Sequence, residues 1–438
     1  MKILVVGSGG REHAITWRLA QDPEEHELYA APGNAGIAEV AECVAIKADD
    51  VAGLVAWAKA EKPDLVVVGP EAPLVIGLVD ALEKEGIVAF GPVAAGARME
   101  GSKRFAKEVM KAAGVPTGRA EVFTDAAKAK AALPAYGLPV VIKADGLAAG
   151  KGVIVAETKA EAEGAIDDML VGNRFGAAGA EVLIEEFLHG EECSILAMVD
   201  GNDAVLLPSS QDHKRVFDGD KGPNTGGMGA YSPAPVITSD KLPMIKEKII
   251  MPVVNELRKR GIVYRGILYA GLMVNDKNAN PHGPKALSGS DVNVVEFNAR
   301  FGDPETEAVL PRLGGSFATA LLHAATGCLK EADIVVRNAT AATVILASEG
   351  YPGSYAKGRE IRGAGNAEKQ SGDSIVFHCG TKFEGDRVVT SGGRVMSVTG
   401  LGANLREAVD NAYDRISLIS FDGMFYRKDL AHRAFERK

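Results

Sequence analysis

The chain has 438 residues, of which 46% are apolar and 24% charged, a composition typical of globular proteins, and its length predicts about three domains. A net charge of −9 and an aromatic content of 6% argue against a nucleic-acid-binding surface. No apolar run approaches roughly 18 residues, so no membrane span is expected. The four cysteines are far apart, which disfavours a disulfide framework or a zinc site and leaves a cytoplasmic protein as the expectation.

Residues 1–101 alternate short apolar strands with helices. The pattern predicts helices at residues 11–20, 51–60 and 72–85, and strands at residues 2–6, 26–30, 64–68 and 88–90. This alternation predicts a parallel, Rossmann-like sheet of the α/β class with helices on both faces. Ligands of such sheets bind at the carboxyl ends of the strands, which here carry GSGGREH at 7–13, PGNAG at 32–36 and GPEAP at 69–73.

The loop at 7–13 departs from the dinucleotide-binding fingerprint. Glu12 stands where Gly or Ala is needed, and no acidic residue ends the second strand to bind a ribose. A nicotinamide dehydrogenase is therefore disfavoured. The amides of Gly9 and Gly10 at a helix N-terminus, with Arg11 beside them, suit a phosphate or another anion. A tight strand-to-helix turn is the alternative interpretation of these glycines.

In residues 102–330 the regular alternation of strands and helices is replaced by successive strands and long polar stretches, which predicts α+β structure. The pattern predicts helices at residues 102–113, 241–260 and 305–326, and strands at residues 139–143, 152–155, 181–187, 193–199, 266–274 and 292–297. A polar, Gly-rich stretch at 209–232 is too long for an ordinary connection, and residues 275–291 indicate a surface hairpin loop. Residues 331–438 indicate a β-rich third domain with a late helix at 404–417.

The segment KADGLAAGKG at 143–152 superficially resembles a P-loop. It has one residue too few between its glycines, Gly152 replaces the required Ser or Thr, and it joins two strands. A glycine hairpin with Lys143 and Lys151 at its ends can still fold over a polyphosphate and present amides and positive charge. The alternative, a β-turn with solvated lysines, explains the glycines but not the two lysines that bracket them.

Two strand ends carry further candidates. In the segment IEEFLHGEE at 184–192, the backbone is free to bind an adenine edge and Glu192 could accept from ribose hydroxyls, although a solvated strand end is the simpler interpretation. Glu296 and Asn298 are two residues apart and therefore share one face of a strand. Carboxylate and carboxamide oxygens suit Mg²⁺, and Arg300 beside them suits an anion. An ion pair between Glu296 and Arg300 is the alternative.

The polar stretch at 209–232 is too compact in Gly and Asn content to indicate disorder, and a functional loop is favoured. No second catalytic residue lies at a recognisable motif spacing from His213, so we predict no catalytic role for this histidine. The chain has no GxSxG and no HExxH motif, so neither an elbow-type hydrolase nor a zinc peptidase is supported.

Taken in order, these motifs resemble the ATP-grasp superfamily and, within it, the glycinamide ribonucleotide synthetase family. The resemblance rests on GGREHA at 9–14, EGSK at 100–103, VIKADGLAAGKGV at 141–153, SQDHKR at 210–215, GPNTGGMGAYSPAP at 222–235 and VEFNARFGDPET at 295–306. GGRV at 392–395 also fits. The resemblance implies an N-terminal domain at 1–101, an ATP-grasp domain at 102–330 with a lid subdomain at about 122–192, and a C-terminal domain at 331–438.

The resemblance also implies roles for individual residues. The implied catalytic residues are Arg300 and Lys143, and the metal ligands are Glu296 and Asn298. The implied ATP-binding residues are Lys103, Lys143, Gly150, Lys151, Gly152, Glu185, Glu186, Phe187, Leu188, Glu192, Arg215 and Asn224. The implied substrate-binding residues are Gly9, Gly10, Arg11, Asn34, Gly36, Glu71, Asp212, Arg300 and Asp303.

The implied reaction joins glycine to 5-phosphoribosylamine at the expense of ATP. The cofactors are then ATP and Mg²⁺, with Mn²⁺ as a possible substitute. Because the strand at 266–274 carries no carboxylate, we predict one protein-bound Mg²⁺ position and a second held mainly by phosphates. The expected partners are these small molecules, without nucleic acid or membrane, for a monomer or weak dimer. Another ATP-grasp carboxylate–amine ligase and a catalytically silent nucleotide-binding module stay open as alternatives.

Overall fold

The computed structural model describes residues 1–146, 152–172, 179–275, 291–365 and 373–437. Two of the predicted nucleotide residues, Gly150 and Lys151, lie outside these ranges, as does most of the predicted surface loop at 275–291. Within the described part of the chain, no helix has the length and apolar character needed to cross a membrane.

The first unit is the predicted parallel sheet. Its elements are β1 (Lys2–Gly7), α1 (Gly10–Ala20), β2 (Glu27–Pro32), β3 (Glu42–Cys43), α2 (Val51–Glu61), β4 (Leu65–Val68), α3 (Glu71–Val75), α4 (Leu78–Lys84), β5 (Ala89–Phe90) and α5 (Ala94–Gly101). The five strands run parallel in the order β3-β2-β1-β4-β5. The central strands β1 and β4 are covered on both faces, which is why their sequences are continuous apolar runs.

The single helix predicted at 72–85 is wrong. Gly77 separates α3 from α4 and has a φ of +87°, a left-handed conformation that ends one helix and allows the next to begin at a new angle. The loops that follow β1, β2 and β4 reach the same edge of the sheet, as the parallel topology requires.

The middle unit contains two antiparallel sheets. Its first elements are α6 (Lys103–Ala113), β6 (Ala120–Phe123), α7 (Ala126–Ala132), β7 (Val140–Ala144), β8 (Val153–Ala156), α8 (Lys159–Leu170), β9 (Val182–Glu186), β10 (Glu191–Asp200) and β11 (Ala204–Leu206). Strands β6-β9-β7-β8 form a small sheet on which α7 and α8 pack around an apolar core. The strands β7 and β8 confirm the two strands predicted there, while most of the predicted loop between them lies outside the described residues.

The polar stretch at 209–232 is ordered into short strands, which its sequence did not indicate. The following elements are β12 (Gln211–Asp212), β13 (Arg215–Phe217), β14 (Lys221–Asn224), β15 (Gly229–Ser232), α9 (Leu242–Ile245), α10 (Met251–Lys259), β16 (Arg265–Val274), β17 (Val292–Asn298), α11 (Glu305–Val309), β18 (Leu313–Gly314) and α12 (Phe317–Thr326). A π-helical turn at Lys246–Ile250 joins α9 to α10. The second sheet of the unit has the order β11-β10-β16-β17.

The continuous helix predicted at 305–326 is also wrong. After α11 the chain makes a short 3₁₀ turn and an extended pair of residues before Ser316 caps α12. Gly315, with a φ of +70°, is the local reason for the break. This break lets α11 pack against the sheet of the third unit, whereas α12 packs against β10 and β16 of the middle unit and β5 of the first.

The third unit is β-rich, as predicted. Its elements are β19 (Val335–Val336), β20 (Thr340–Ser348), β21 (Ser374–His378), β22 (Thr381–Glu384), β23 (Arg387–Thr390), β24 (Arg394–Gly402), α13 (Leu405–Ile416), β25 (Met424–Phe425) and α14 (His432–Glu436). Strands β12 and β15 of the polar stretch extend its sheet in the order β12-β15-β20-β24-β21. The polar stretch therefore connects the second and third units physically.

Candidate functional site

A cavity of about 620 Å³ opens where the three units meet. The first unit contributes Arg11 and Glu71 to its wall, and the third unit contributes Tyr351 and Arg394. The middle unit supplies most of the lining, including residues from both of its sheets and from the polar stretch. The predicted residues in the lining are Arg11, Glu71, Lys103, Lys143, Gly152, Glu185, Glu186, Phe187, Leu188, Glu192, Asp212, Asn224, Glu296, Asn298, Arg300 and Asp303.

One end of the cavity is apolar. Val141 and Val155 from the small sheet, Met110 from α6 and Met273 from β16 line it together with Leu188. Val141, Val155 and Met273 come from the two sheets of the middle unit, and residues 186–188 also line the cavity. An apolar slot beside free backbone groups suits a planar heteroaromatic ring.

Lysines gather along the next part of the wall. Lys143 Nζ lies 2.5 Å from Glu185 Oε2, and Lys107 Nζ lies 2.5 Å from Glu185 Oε1. Burial raises the pKa of Glu185, but the two lysines outweigh burial and hold that pKa below its ordinary value. Lys103 Nζ donates to the carbonyl of Gly146 at 3.0 Å, and burial lowers the pKa of this lysine. Three ammonium groups so placed suit a polyphosphate.

Lys214 is a site residue that the sequence interpretation missed. It lines the cavity and forms an ion pair with Glu192, the predicted ribose-binding acid. Burial lowers the pKa of Lys214, but Glu192, Asp212 and Glu296 outweigh burial and raise it. Lys214 belongs to the motif SQDHKR at 210–215, which had pointed to a functional segment. The spacing of that motif does not indicate that Lys214, and not Arg215, lines the cavity.

The strand β17 presents the predicted metal ligands. Glu296 and Asn298 both line the cavity, and Gly271 stands opposite Glu296 on β16, where a Cβ would lie 3.3 Å from Glu296 Cγ. Burial raises the pKa of Glu296, but Lys214, Lys143 and Lys103 outweigh burial and lower it, so the carboxylate stays ionised. An ionised carboxylate beside a carboxamide oxygen fits the oxygen-ligand preference of Mg²⁺.

Arg300 does not form the ion pair with Glu296 that was the alternative interpretation. Its Nη2 lies 2.9 Å from Glu100 Oε1, and its Nε lies 3.5 Å from Glu71 Oε2. Burial lowers the pKa of Arg300, but Glu100 and Glu71 outweigh burial and raise it. Arg11 Nη1 and Arg300 Nη1 each donate to the carbonyl of Phe301 at 3.2 Å, so the two guanidinium groups lie side by side.

Five predicted residues lie outside the cavity lining: Gly9, Gly10, Asn34, Gly36 and Arg215. The Gly9 amide donates to Glu12 Oε2 at 2.6 Å, within the first unit. Asn34 donates to the carbonyls of Ser8 and His378 at 2.9 and 2.8 Å and accepts from the Gly36 amide at 3.0 Å. These contacts shape the first unit's loops behind the cavity wall.

The third unit also contributes residues that the sequence interpretation missed. Arg394 Nη1 lies 3.0 Å from Asp303 Oδ1 and donates to the carbonyl of Gly226 at 2.7 Å. The Gly226 amide in turn donates to the hydroxyl of Tyr351 at 3.1 Å. Arg394 belongs to the GGRV motif at 392–395, whose glycines had no chemical interpretation, and its arginine was the available signal.

Comparison with family models covers each part of this arrangement. The model described as "Phosphoribosylglycinamide synthetase, N domain" matches residues 1–100, the "ATP-grasp (A) domain" of the same synthetase matches residues 101–306, and its "C domain" matches residues 341–433. The chain belongs to the phosphoribosylglycinamide synthetase family. The ATP-grasp fold implied by the sequence motifs is thereby confirmed.

Members of the phosphoribosylglycinamide synthetase family with assigned names match along their whole length. The phosphoribosylamine–glycine ligase of Halalkalibacterium halodurans is 48% identical over 438 residues, which cover 100% of this chain and 98% of that protein. The ligase of the same name from Allochromatium vinosum is 49% identical over 440 residues and covered in full. The crystal structure of the Thermotoga maritima phosphoribosylamine–glycine ligase superposes with a TM-score of 0.83 at 35% identity, covering 98% of this chain and 100% of that one.

Proposed function

We propose that this chain is a ligase that joins glycine to 5-phosphoribosylamine through a glycyl phosphate, giving glycinamide ribonucleotide, ADP and phosphate in purine biosynthesis. The family membership and the full-length match to phosphoribosylamine–glycine ligases support the substrates. The observation that carries the chemistry is the meeting of Lys103, Lys143, Glu296, Asn298 and Arg300 on one cavity.

The residues suit activation of a carboxylate by phosphoryl transfer. A carboxylate is a poor acyl donor, and its acyl phosphate is a good one. We propose that Lys103 and Lys143 bind the phosphates of ATP, and that Arg300 stabilises the charge on the transferring phosphoryl group. Mg²⁺ held by Glu296 and Asn298 would neutralise charge on the same phosphates. Mn²⁺ accepts the same oxygen ligands and is proposed as a substitute.

The remaining assignments follow the layout of the cavity. We propose that the apolar end binds adenine, with the backbone at 185–188 reading its edge, and that Glu192 binds the ribose. The opposite end, with Arg11, Glu71 and Asp303, would receive glycine and the ribosylamine. We also propose the domain boundaries at 101 and 330, and a monomer or weak dimer. Enclosure of this end by the third unit would keep water from the acyl phosphate.

The function has a direct test in substrate omission. ADP release is measured with purified protein, Mg²⁺, ATP, glycine and freshly prepared phosphoribosylamine, and then with each substrate left out in turn. We expect turnover only with the complete mixture. ADP release that does not depend on glycine, or that another amino acid or carboxylic acid supports better, would assign the chain to a different carboxylate–amine ligation.

Substitution of the metal ligand is the second test. Glu296→Ala should lower kcat by at least about 100-fold, because the metal's charge on the phosphates is lost while the fold is retained. Glu163→Ala is the matched control, because Glu163 is partly exposed on α8 and lies outside the cavity lining, and this variant should keep wild-type turnover. Circular dichroism and the thermal midpoint report folding. Near-normal activity of a folded Glu296→Ala variant would remove Glu296 from the metal site.

A further inference from the structure

Asp212 is a buried carboxylate that faces the cavity from the polar stretch. It ends β12, where it is paired with Ala230 of β15, and only 7% of its surface is exposed. It nevertheless lines the cavity. Strand β12 belongs to the sheet that β15 shares with the third unit. Asp212 therefore lies on the part of the cavity wall where the second and third units join.

Apart from Glu296, the proposed metal ligand, the other carboxylates on the cavity wall are held by protein groups. Arg300 holds Glu71 and Glu100, and Lys143 and Lys107 hold Glu185. The same is true of Glu192 with Lys214, Asp303 with Arg394, and Glu305 with the hydroxyl of Tyr269. Among the described residues, the carboxylate of Asp212 has neither a hydrogen bond nor an ion pair within 4.0 Å. A buried carboxylate without a fixed partner is available to a substrate group.

Asp212 also lies in the electrostatic neighbourhood of the reacting centre. Glu305 and Tyr269 act on the pKa of Arg300, the residue proposed to contact the transferring phosphoryl group. The same Glu305 acts on the pKa of Asp212, and Asp212 acts on that of Tyr269. Asp212 and Arg300 are therefore both within electrostatic reach of the same two buried groups, Glu305 and Tyr269, which are hydrogen-bonded to each other at 2.9 Å.

We propose that Asp212 accepts the proton lost by the ribosylamine nitrogen as it attacks the glycyl phosphate, an inference that rests on the proposed function. The amine nitrogen forms a bond to the acyl carbon, and the carbon–oxygen bond to the phosphate breaks. The phosphate leaves with that bonding pair. One N–H proton passes from the positively charged nitrogen to the Asp212 carboxylate, and the amide product is neutral at nitrogen.

The surroundings of Asp212 suit proton transfer near neutral pH. Burial raises the pKa of Asp212 to about 7, with Lys214 opposing and Glu305 and Glu192 adding to the rise. The titratable and charged groups that face it from the packed elements are Lys214, Glu192, Cys193, Glu305, Tyr269, Tyr231 and Arg433.

The test separates the two halves of the reaction in the Asp212→Asn variant. Glycyl phosphate formation is measured as glycine-dependent scrambling of ¹⁸O between the βγ-bridge and β-nonbridge positions of ATP, with ribose 5-phosphate present as an analogue that lacks the amine. Amide formation is measured with phosphoribosylamine. We expect scrambling within about threefold of wild type and a loss of at least about 100-fold in amide formation.

Other outcomes have distinct meanings. If amide formation survives in Asp212→Asn, Asp212 is not the proton acceptor. If a folded Asp212→Asn variant also loses scrambling, Asp212 acts in binding or activating glycine and the proposal is overturned. Asp212→Ala provides the same comparison should the Asn variant not fold. If the wild type forms no glycine-dependent amide with phosphoribosylamine, the proposed function itself fails, independently of Asp212.

The pH profile gives an independent readout. The kcat/KM for phosphoribosylamine in wild type should fall below a pH of about 7 as Asp212 becomes protonated. Ionisation of the substrate amine affects wild type and variant equally, so the ratio of the wild-type to the Asp212→Asn profile isolates the protein group. If this ratio rises about tenfold for each unit of pH up to neutrality and is constant above it, Asp212 is the proton acceptor. A ratio that does not change with pH overturns the proposal.

Discussion

At the scale of single residues, the cavity wall works by pairing buried charges. Glu185 shows the principle, because its two oxygens each hold one lysine, and only 2% of its surface is exposed. The sequence interpretation used only the backbone of this strand end. The side chain of Glu185 holds Lys143 at the cavity wall, so a residue predicted to bind ATP at the adenine edge also positions a lysine predicted to bind its phosphates.

Replacement of Glu185 should expose this role. Glu185→Gln should lower the free energy of unfolding by about 3 kcal/mol at neutral pH, since it leaves two buried lysines without a counter-charge. The folded-state pKa of Glu185 is lowered, so its stabilisation is complete above the unfolded pKa of about 4.3 and is lost as the pH falls through the folded value. The difference between wild type and variant in urea unfolding should therefore stay constant down to a pH of about 4.3 and shrink on further acidification.

A matched control is available on α8. In the surface pair of exposed Lys159 with partly exposed Glu163, Nζ lies 3.5 Å from Oε1, and Glu163→Gln should change the unfolding free energy by less than about 0.5 kcal/mol. The KM for ATP should rise in Glu185→Gln and stay unchanged in the control. Equal stability of the two variants would contradict a structural role for the buried carboxylate.

At the scale of elements, the chain's last segment holds the hairpin β13–β14 against the cavity. Arg427 Nη1 lies 2.8 Å from Asp220 Oδ1, and Arg433 Nη2 lies 2.7 Å from Asp220 Oδ2. The amide of Ala431 donates to Nε2 of His213 at 2.9 Å, so this histidine has the hydrogen-bonding role that its isolation in the sequence suggested. Because Lys214 and Asn224 begin and end this hairpin region, its position affects the nucleotide end of the cavity.

Asp220→Ala should loosen this hairpin. Burial raises the pKa of Asp220, but His213, whose Nδ1 lies 3.9 Å from Oδ1, and hydrogen bonds from Arg427 and Arg433 outweigh burial and lower it, so the carboxylate is ionised at neutral pH. Its loss should reduce the unfolding free energy by about 2 kcal/mol and raise the KM for ATP severalfold. The control is Asp422→Ala, since Asp422 is exposed and pairs with exposed Arg359. An unchanged KM for ATP in Asp220→Ala would separate the hairpin from nucleotide binding.

At the scale of the whole molecule, the three units meet at Gly10. A Cβ on Gly10 of the first unit would lie 2.4 Å from Glu307 Oε1 of the middle unit and 2.6 Å from Cys379 Sγ of the third. Burial, with Asp303 nearby, raises the pKa of Glu307 well above its ordinary value, so a neutral carboxyl packs at this junction. Glycine is needed here for close approach between units, not for a left-handed backbone.

Gly10→Ala should therefore weaken the packing of the units. We expect a loss of about 1–3 kcal/mol in unfolding free energy, because the junction has no room for a methyl group. Gly164→Ala is the matched control: Gly164 lies within α8 with open space at its Cβ position, so this change should stabilise by about 0.5–1 kcal/mol. Thermal and urea unfolding of both variants measures the difference. A neutral Gly10→Ala would mean that the junction can relax.

The sequence by itself determined those features that depend only on residues close together in the chain, namely the strands and helices of the first unit and the face of β17 that carries the metal ligands. The alternation in residues 1–101 specified a parallel sheet, and the two-residue spacing of Glu296 and Asn298 placed both on one face of β17, because strand geometry repeats every two residues. The family resemblance was equally local, since it rests on contiguous motifs.

Only the tertiary structure decided which charges meet. Lys107 with Glu185, Lys214 with Glu192 and Arg394 with Asp303 join distant segments, and their pairing depends on how sheets pack, which no local spacing encodes. The same packing left Asp212 without a partner among the residues that the structure describes. The local sequence pattern also failed to predict the break after α11. The apolar periodicity continues from α11 into α12, although the backbone turns between them so that the two helices pack against different units.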